Sequence, residues 1–145
     1  MQNLFITEED VLEVKICVAE NDGTLYCDID EKGVKFLLDG IEADIQEYTT
    51  IFRKPSFGDL LELTDILLSP RDMGDGQLNY EANPIAVRLK MMGFLIKDWS
   101  FTKEDGSKIP ATEENIKNLN PLIAAAIGIQ LDSLLNAQEE KDKSE

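Results

Sequence analysis

The chain has no histidine among its 145 residues. That removes the usual general base near neutral pH and the commonest transition-metal ligand. It has only two cysteines, Cys17 and Cys27. Their spacing fits neither a zinc nor a redox motif, in which paired cysteines lie roughly two to four residues apart. Basic residues are scarce: 14 lysines and arginines stand against 29 acids, a formal net charge of −15. A surface of that sign repels DNA, RNA and anionic membranes. No apolar run approaches the roughly 18 residues that a membrane span needs. The first ten residues, MQNLFITEED, are too acidic and too short of apolar length for a secretory signal. Neither GxxxxGKS/T nor GxGxxG occurs, and a serine nucleophile would lack a histidine to activate it. These absences disfavour enzymatic chemistry, and no cofactor or metal is expected.

What is present is enough apolar material for a core. Hydrophobic residues make up 43% and charged residues 30% of the chain, which argues against wholesale disorder. The charge is uneven. Residues 1–50 carry 13 acids and 3 bases, and residues 51–145 carry 16 acids and 11 bases. A solvated acidic face is the plain reading of those carboxylates. Both cysteines fall in strand-like segments, where reduced, half-buried thiols of a cytosolic protein are expected; a cross-strand disulfide is the lesser alternative.

The N-terminal third reads as β structure. Apolar residues alternate at period two from Leu12 to Val18, and again at Leu25, Cys27 and Ile29, as in strands with one buried face. Asn21-Asp22-Gly23 between them is a hairpin signal, because glycine tolerates positive φ. A further turn at Glu31-Lys32-Gly33 is expected to lead into another β segment, Val34–Leu38. In the long stretch Ile41–Arg53 the second half, Glu47–Arg53, holds most of the β-branched and aromatic residues and makes the better strand.

The remainder reads as mainly helical. Pro55-Ser56 breaks the β pattern, Ser56 suits an N-cap, and Asp59 suits the first turn. Phe57, Leu60, Leu61, Thr64, Leu67 and Leu68 then share one helical face, and the helix should stop before Pro70. Residues 69–82 read as a polar connector. Its GDGQLNYE stretch resembles the middle of an EF-hand loop, but with Gly76 as the glycine the first, third and twelfth positions hold Arg71, Met73 and Ala82. Calcium, which needs six to eight oxygens, is therefore not expected. Asn83-Pro84 and Asn120-Pro121 each suit an N-cap followed by the first helical position. They open helices over Ile85–Ile96 and Leu122–Ala137. The first carries Ile85, Leu89, Met92, Leu95 and Ile96 on one face. The second carries a broad stripe that includes Leu122, Ile123, Ala126, Ile127, Leu131, Leu134 and Leu135. Between them Lys97–Phe101 is extended and aromatic, Glu104-Asp105-Gly106 is a turn, and Thr112 caps a short helix through Asn118.

The expected class is α+β: a small N-terminal antiparallel sheet of three or four strands, followed by three or four helices packed on one of its faces. One domain is expected over residues 1–137, β-rich over 1–53 and mainly helical over 54–137. Residues 138–145, QEEKDKSE, are expected to form a charged flexible tail.

Two stretches carry a resemblance. Tyr48–Asp59, with its strand, proline and helix opening, resembles tail assembly chaperones of tailed bacteriophages. So does Leu95–Phe101 followed by Glu104–Ile116, like that family's order of tryptophan strand, DGK-type turn, proline, T-E-E-N helix, proline and helix. The resemblance spans roughly residues 47–137. It implies a non-enzymatic protein that binds an aggregation-prone client, the tape measure or tail tube protein, in the host cytoplasm during virion assembly. An apolar helix face would meet an amphipathic client, and high negative charge would keep the complex soluble. Leu122, Ile123, Ile127, Leu131, Leu134 and Leu135, with Trp99 and Phe101, are the candidate client contacts. The same residues also suit packing within a domain of this size. A structural tail or baseplate component and an acidic nucleic-acid mimic that inhibits a host DNA-binding protein are the alternative readings. Neither nucleic acid nor membrane is expected as a partner, and a homo-oligomer is left open.

Overall fold

The computed structural model describes residues 4–67, 71–72, 78–79 and 84–143, with side chains described over 4–65 and 87–136. The fold is α+β. Strands β1 (Val11–Asn21), β2 (Thr24–Asp28), β3 (Ile45–Arg53) and β6 (Ile96–Trp99) form one antiparallel sheet in the order β2-β1-β3-β6. The short strands β4 (Arg71–Asp72) and β5 (Leu78–Asn79) pair with each other. The rest of the 69–82 connector, including Gly76, lies outside the described residues, as does Asn83. Five helices are present among the described residues: α1 (Glu31–Leu38), α2 (Phe57–Leu67), α3 (Pro84–Leu95), α4 (Glu113–Lys117) and α5 (Pro121–Lys143).

The β1–β2 hairpin forms where period-two alternation meets Asp22-Gly23. Both turn residues have positive φ, +51° and +78°, the I′ geometry that matches strand twist. Its register sets Cys27 opposite Val18 and Cys17 opposite Asp28. Cys17 belongs to the packing under α1, whereas Cys27 packs on the opposite face of the sheet. The two thiols are free and point apart.

Alternation divides β1 between two cores. Val14 and Ile16, with Phe52 of β3, face a large core closed by Met92 and Leu95 of α3, Ile116 of α4, and Ile123, Ile127 and Leu131 of α5. Cys17 and Ala19 face a small core closed by Val34 and Leu38 of α1. Each fully buried side chain of this size stabilises the fold by about 1.5–3 kcal/mol relative to exposure. A bulge in the β3–β6 ladder, between Ile51 and Phe52, sets Phe52 opposite Ile96 and Ile51 opposite Asp98. One residue is thus skipped, so Ile96 and Trp99 both reach the large core despite their spacing of three. Lys15, two residues before the last β1–β2 pair, donates its backbone N–H to Gln130 Oε1 of α5 at 2.8 Å.

Three expectations are corrected. Val34–Leu38 is not a strand but the body of α1: the Asp30 side chain accepts from the Gly33 N–H, as an N-cap does, and Asp39 ends the helix in the left-handed region. The helices do not share one face of the sheet, because α1 lies on the side opposite α5. The helix expected over Leu122–Ala137 is longer, since α5 continues to Lys143. By contrast, α2, α3 and α4 begin and end within a residue or two of where the caps and prolines put them, and Thr112 Oγ1 accepts from the Asn115 N–H at 3.2 Å.

Candidate functional site

The structure separates the eight residues that the sequence grouped as client contacts. Ile123, Ile127 and Leu131 recur every four residues on α5 and are buried in the large core. Trp99 is buried beside them. Its indole N–H donates to the Ile109 carbonyl at 2.5 Å, and its ring meets Phe101 edge-on at 5.1 Å. Phe101 is half-buried and stacks on Tyr48 at 4.9 Å. Leu134 and Leu135 are half-buried against the same core. Of the eight, Leu122 alone is exposed, at 45%. Most of the stripe therefore holds the fold together and is not offered to a partner in this conformation.

One apolar surface that does face outward lies on α2. Phe57, Leu60 and Leu61 are 78%, 51% and 54% exposed, whereas Leu63 is 6% exposed and points inward. The helix rests on α3. Its start is fixed firmly. Ser56 Oγ accepts from the Asp59 N–H at 3.1 Å and Asp59 Oδ2 accepts from the Ser56 N–H at 3.0 Å, a reciprocal capping pair. Arg53, at the end of β3, ties this corner together. Its guanidinium pairs with Asp59 at 3.1 Å, donates to the Phe94 carbonyl near the end of α3 at 2.8 Å, and lies over the Phe94 ring at 5.0 Å. The Ser56 backbone N–H, then Arg53, hold the Asp59 carboxyl below the ordinary carboxylate range. An apolar i, i+3, i+4 set thus stands in solvent on a helix whose first turn is locked to the sheet and to α3. This is the arrangement used when an amphipathic helix binds a groove on a partner. The sequence placed Phe57, Leu60 and Leu61 on one face but gave no sign that this face stays uncovered.

The hollow of about 340 Å³ on the open face of β3 and β6 is lined by Thr49, Ile51, Asp98, Ser100 and Lys108, among others. Lys108 Nζ reaches Asp98 at 2.6 Å, and that bond leads in keeping the Asp98 carboxyl low. Asp105 is also held low, by its bonds to Ser107. A general acid needs the opposite shift, toward neutral pH. Both thiols are pushed up, Cys17 by burial and then nearby Glu47, and Cys27 by burial to about 11. Neither supplies a ready thiolate. Among the described residues no group of three or more histidines, cysteines or acids is placed to hold a metal ion, and no helix is long and apolar enough to cross a membrane.

No protein-family model, curated protein or solved structure matches the chain.

Proposed function

We propose that this chain is a non-enzymatic bacteriophage tail assembly protein that holds an amphipathic client, a tape measure or tail tube protein, through contact with apolar helix surface. It acts in the bacterial host cytoplasm while the tail is built. The observation that carries this reading is the exposed Phe57–Leu60–Leu61 face of α2. That helix lies inside the stretch whose order of elements resembles tail assembly chaperones. An exposed apolar set with a fixed helical spacing suits a client helix that shields its own apolar stripe there. The net charge of −15 keeps the joined pair dispersed.

Co-expression with a long coiled-coil tail protein tests the reading. The unaltered chain is expected to raise the soluble fraction of that protein and to co-purify with it. Phe57→Glu/Leu61→Glu is expected to abolish both effects while leaving the melting temperature of the chain nearly unchanged, because both side chains already face water. Equal rescue by the double variant, or no rescue by the unaltered chain, overturns the proposal.

A further inference from the structure

We propose that a second copy of this chain seats its N-terminal segment, Leu4–Asp10, in the groove between α3, α4 and α5. This self-association surface is separate from the α2 face and does not depend on the function proposed above. The groove has a volume of about 550 Å³. Met92, Ile116 and Leu119 give it apolar walls, Ala124 of α5 leaves room for a large side chain, and Arg88 and Lys117 line it as cations. In a chain of net charge −15, two cations on one apolar groove select for an occupant that is apolar and acidic together. Arg88 is held in place: its aliphatic stem lies where a Cβ on Gly128 would sit, and its guanidinium reaches Asp132 at 3.5 Å. Lys117 makes no ion pair among the described residues.

The N-terminal segment has the complementary chemistry. Leu4 and Phe5 are 86% and 80% exposed, Ile6 follows, and Glu8 and Glu9 come directly after. The chain's own contacts hold the segment on a different part of the molecule. Asp10 closes a turn on Thr7, with bonds of 3.0 and 2.8 Å between them. Lys97 Nζ donates to the Glu8 carbonyl at 2.7 Å, and the Lys54 N–H donates to the Asp10 carbonyl at 3.1 Å. These bonds fix the base of the segment at the β3–β6 end of the sheet and leave Leu4 and Phe5 projecting. None of the segment's residues lines the groove of the same chain. A projecting knob and a matching hole at different places on one surface make a head-to-tail contact. In the joined state Phe5 lies over Ala124, and Glu8 and Glu9 face Arg88 and Lys117.

Sedimentation of the full chain tests this arrangement. The apparent mass is expected to rise with concentration. Phe5→Glu, which spoils the knob, and Lys117→Glu/Ala124→Glu, which spoils the hole, are each expected to sediment as monomers. An equimolar mixture of the two variants is expected to give a dimer and nothing larger, because one sound knob and one sound hole remain. To guard against misfolding of the groove variant, a labelled peptide of residues 1–10 is titrated into the Phe5→Glu chain. It is expected to saturate, and the same peptide carrying Phe5→Glu is expected to bind at least about tenfold weaker. A chain that is monomeric at every concentration, association that survives both sets of substitutions, or a mixture that stays monomeric overturns the proposal.

Discussion

On one side of the sheet three helices close over Val14, Ile16 and Phe52, and the core they share takes in ten buried residues among those described. On the other side a single helix of eight residues, α1, rests on Cys17 and Ala19 through Val34 and Leu38. The same strand, β1, serves both cores by alternation, so the difference is not one of strand quality. It comes from what the chain supplies to cover each face. The larger side is over-determined, and losing one contact leaves many. The smaller side hangs on two side chains and a cap, and its helix leaves Phe36 and Leu37 in solvent. Local opening should therefore begin at α1 well before the α5 side yields.

That contrast can be broken by measurement. The largest effect is expected for Phe52→Ala, which removes a fully buried ring from the centre of the large core; a loss of about 3–5 kcal/mol in denaturant unfolding is expected. Leu38→Ala is expected to cost less, about 2 kcal/mol, since α1 is freer to settle around the gap. Hydrogen exchange of that variant should quicken the α1 amides and spare those of α5. If Leu38→Ala matches Phe52→Ala and quickens both helices alike, the two sides are one cooperative unit.

A smaller effect sharpens the picture of the large core. Thr50 lies opposite Trp99 in the ladder, and its buried hydroxyl has no hydrogen-bond partner among the described residues. Thr50→Val removes that unsatisfied group and is expected to raise stability by about 1 kcal/mol. A fall in melting temperature would show that the hydroxyl is satisfied in solution.

The smallest effect lies outside both cores. Asp59 titrates below the usual aspartate value of 3.8 because it accepts from the Ser56 N–H and pairs with Arg53. Its contribution is fully present above that value and is lost as pH falls through its lowered folded value. Acid titration of unfolding should show this loss, under about 1 kcal/mol for a partly exposed pair, and Asp59→Asn should lack it.

Much of this architecture is legible in the residues. The β1–β2 hairpin follows from alternation plus Asp22-Gly23, and the bounds of α2, α3 and α4 follow from caps and prolines. α1 was hidden because Gly33 reads as a turn. In the fold that glycine is a helical residue packed against the Asp28 carboxylate, in space that a Cβ would need. The residue that marks the helix start is Asp30, an N-cap three residues before it. The place of β6 beside β3 rests on a bulge, which periodicity does not announce. The candidate site shows the sharper limit. α2 and α5 both carry apolar residues at helical spacing, and spacing alone does not say which face finds a cover. α5 lies across a sheet and loses its stripe to the core, whereas α2, tied to the end of β3 and resting on α3, keeps Phe57, Leu60 and Leu61 outside.

The bond from Lys15 to Gln130 has a colloidal consequence. β2 pairs with β1 only from Cys17 onward, so among the described residues the first half of β1 has no strand on that side, the kind of rim at which a stray strand could add. A carboxamide from α5 fills one rung of that rim and interrupts the run that such a strand would need. The long helix therefore does more than shelter oily side chains: it also engages a backbone donor of β1 at a rung that β2 does not reach.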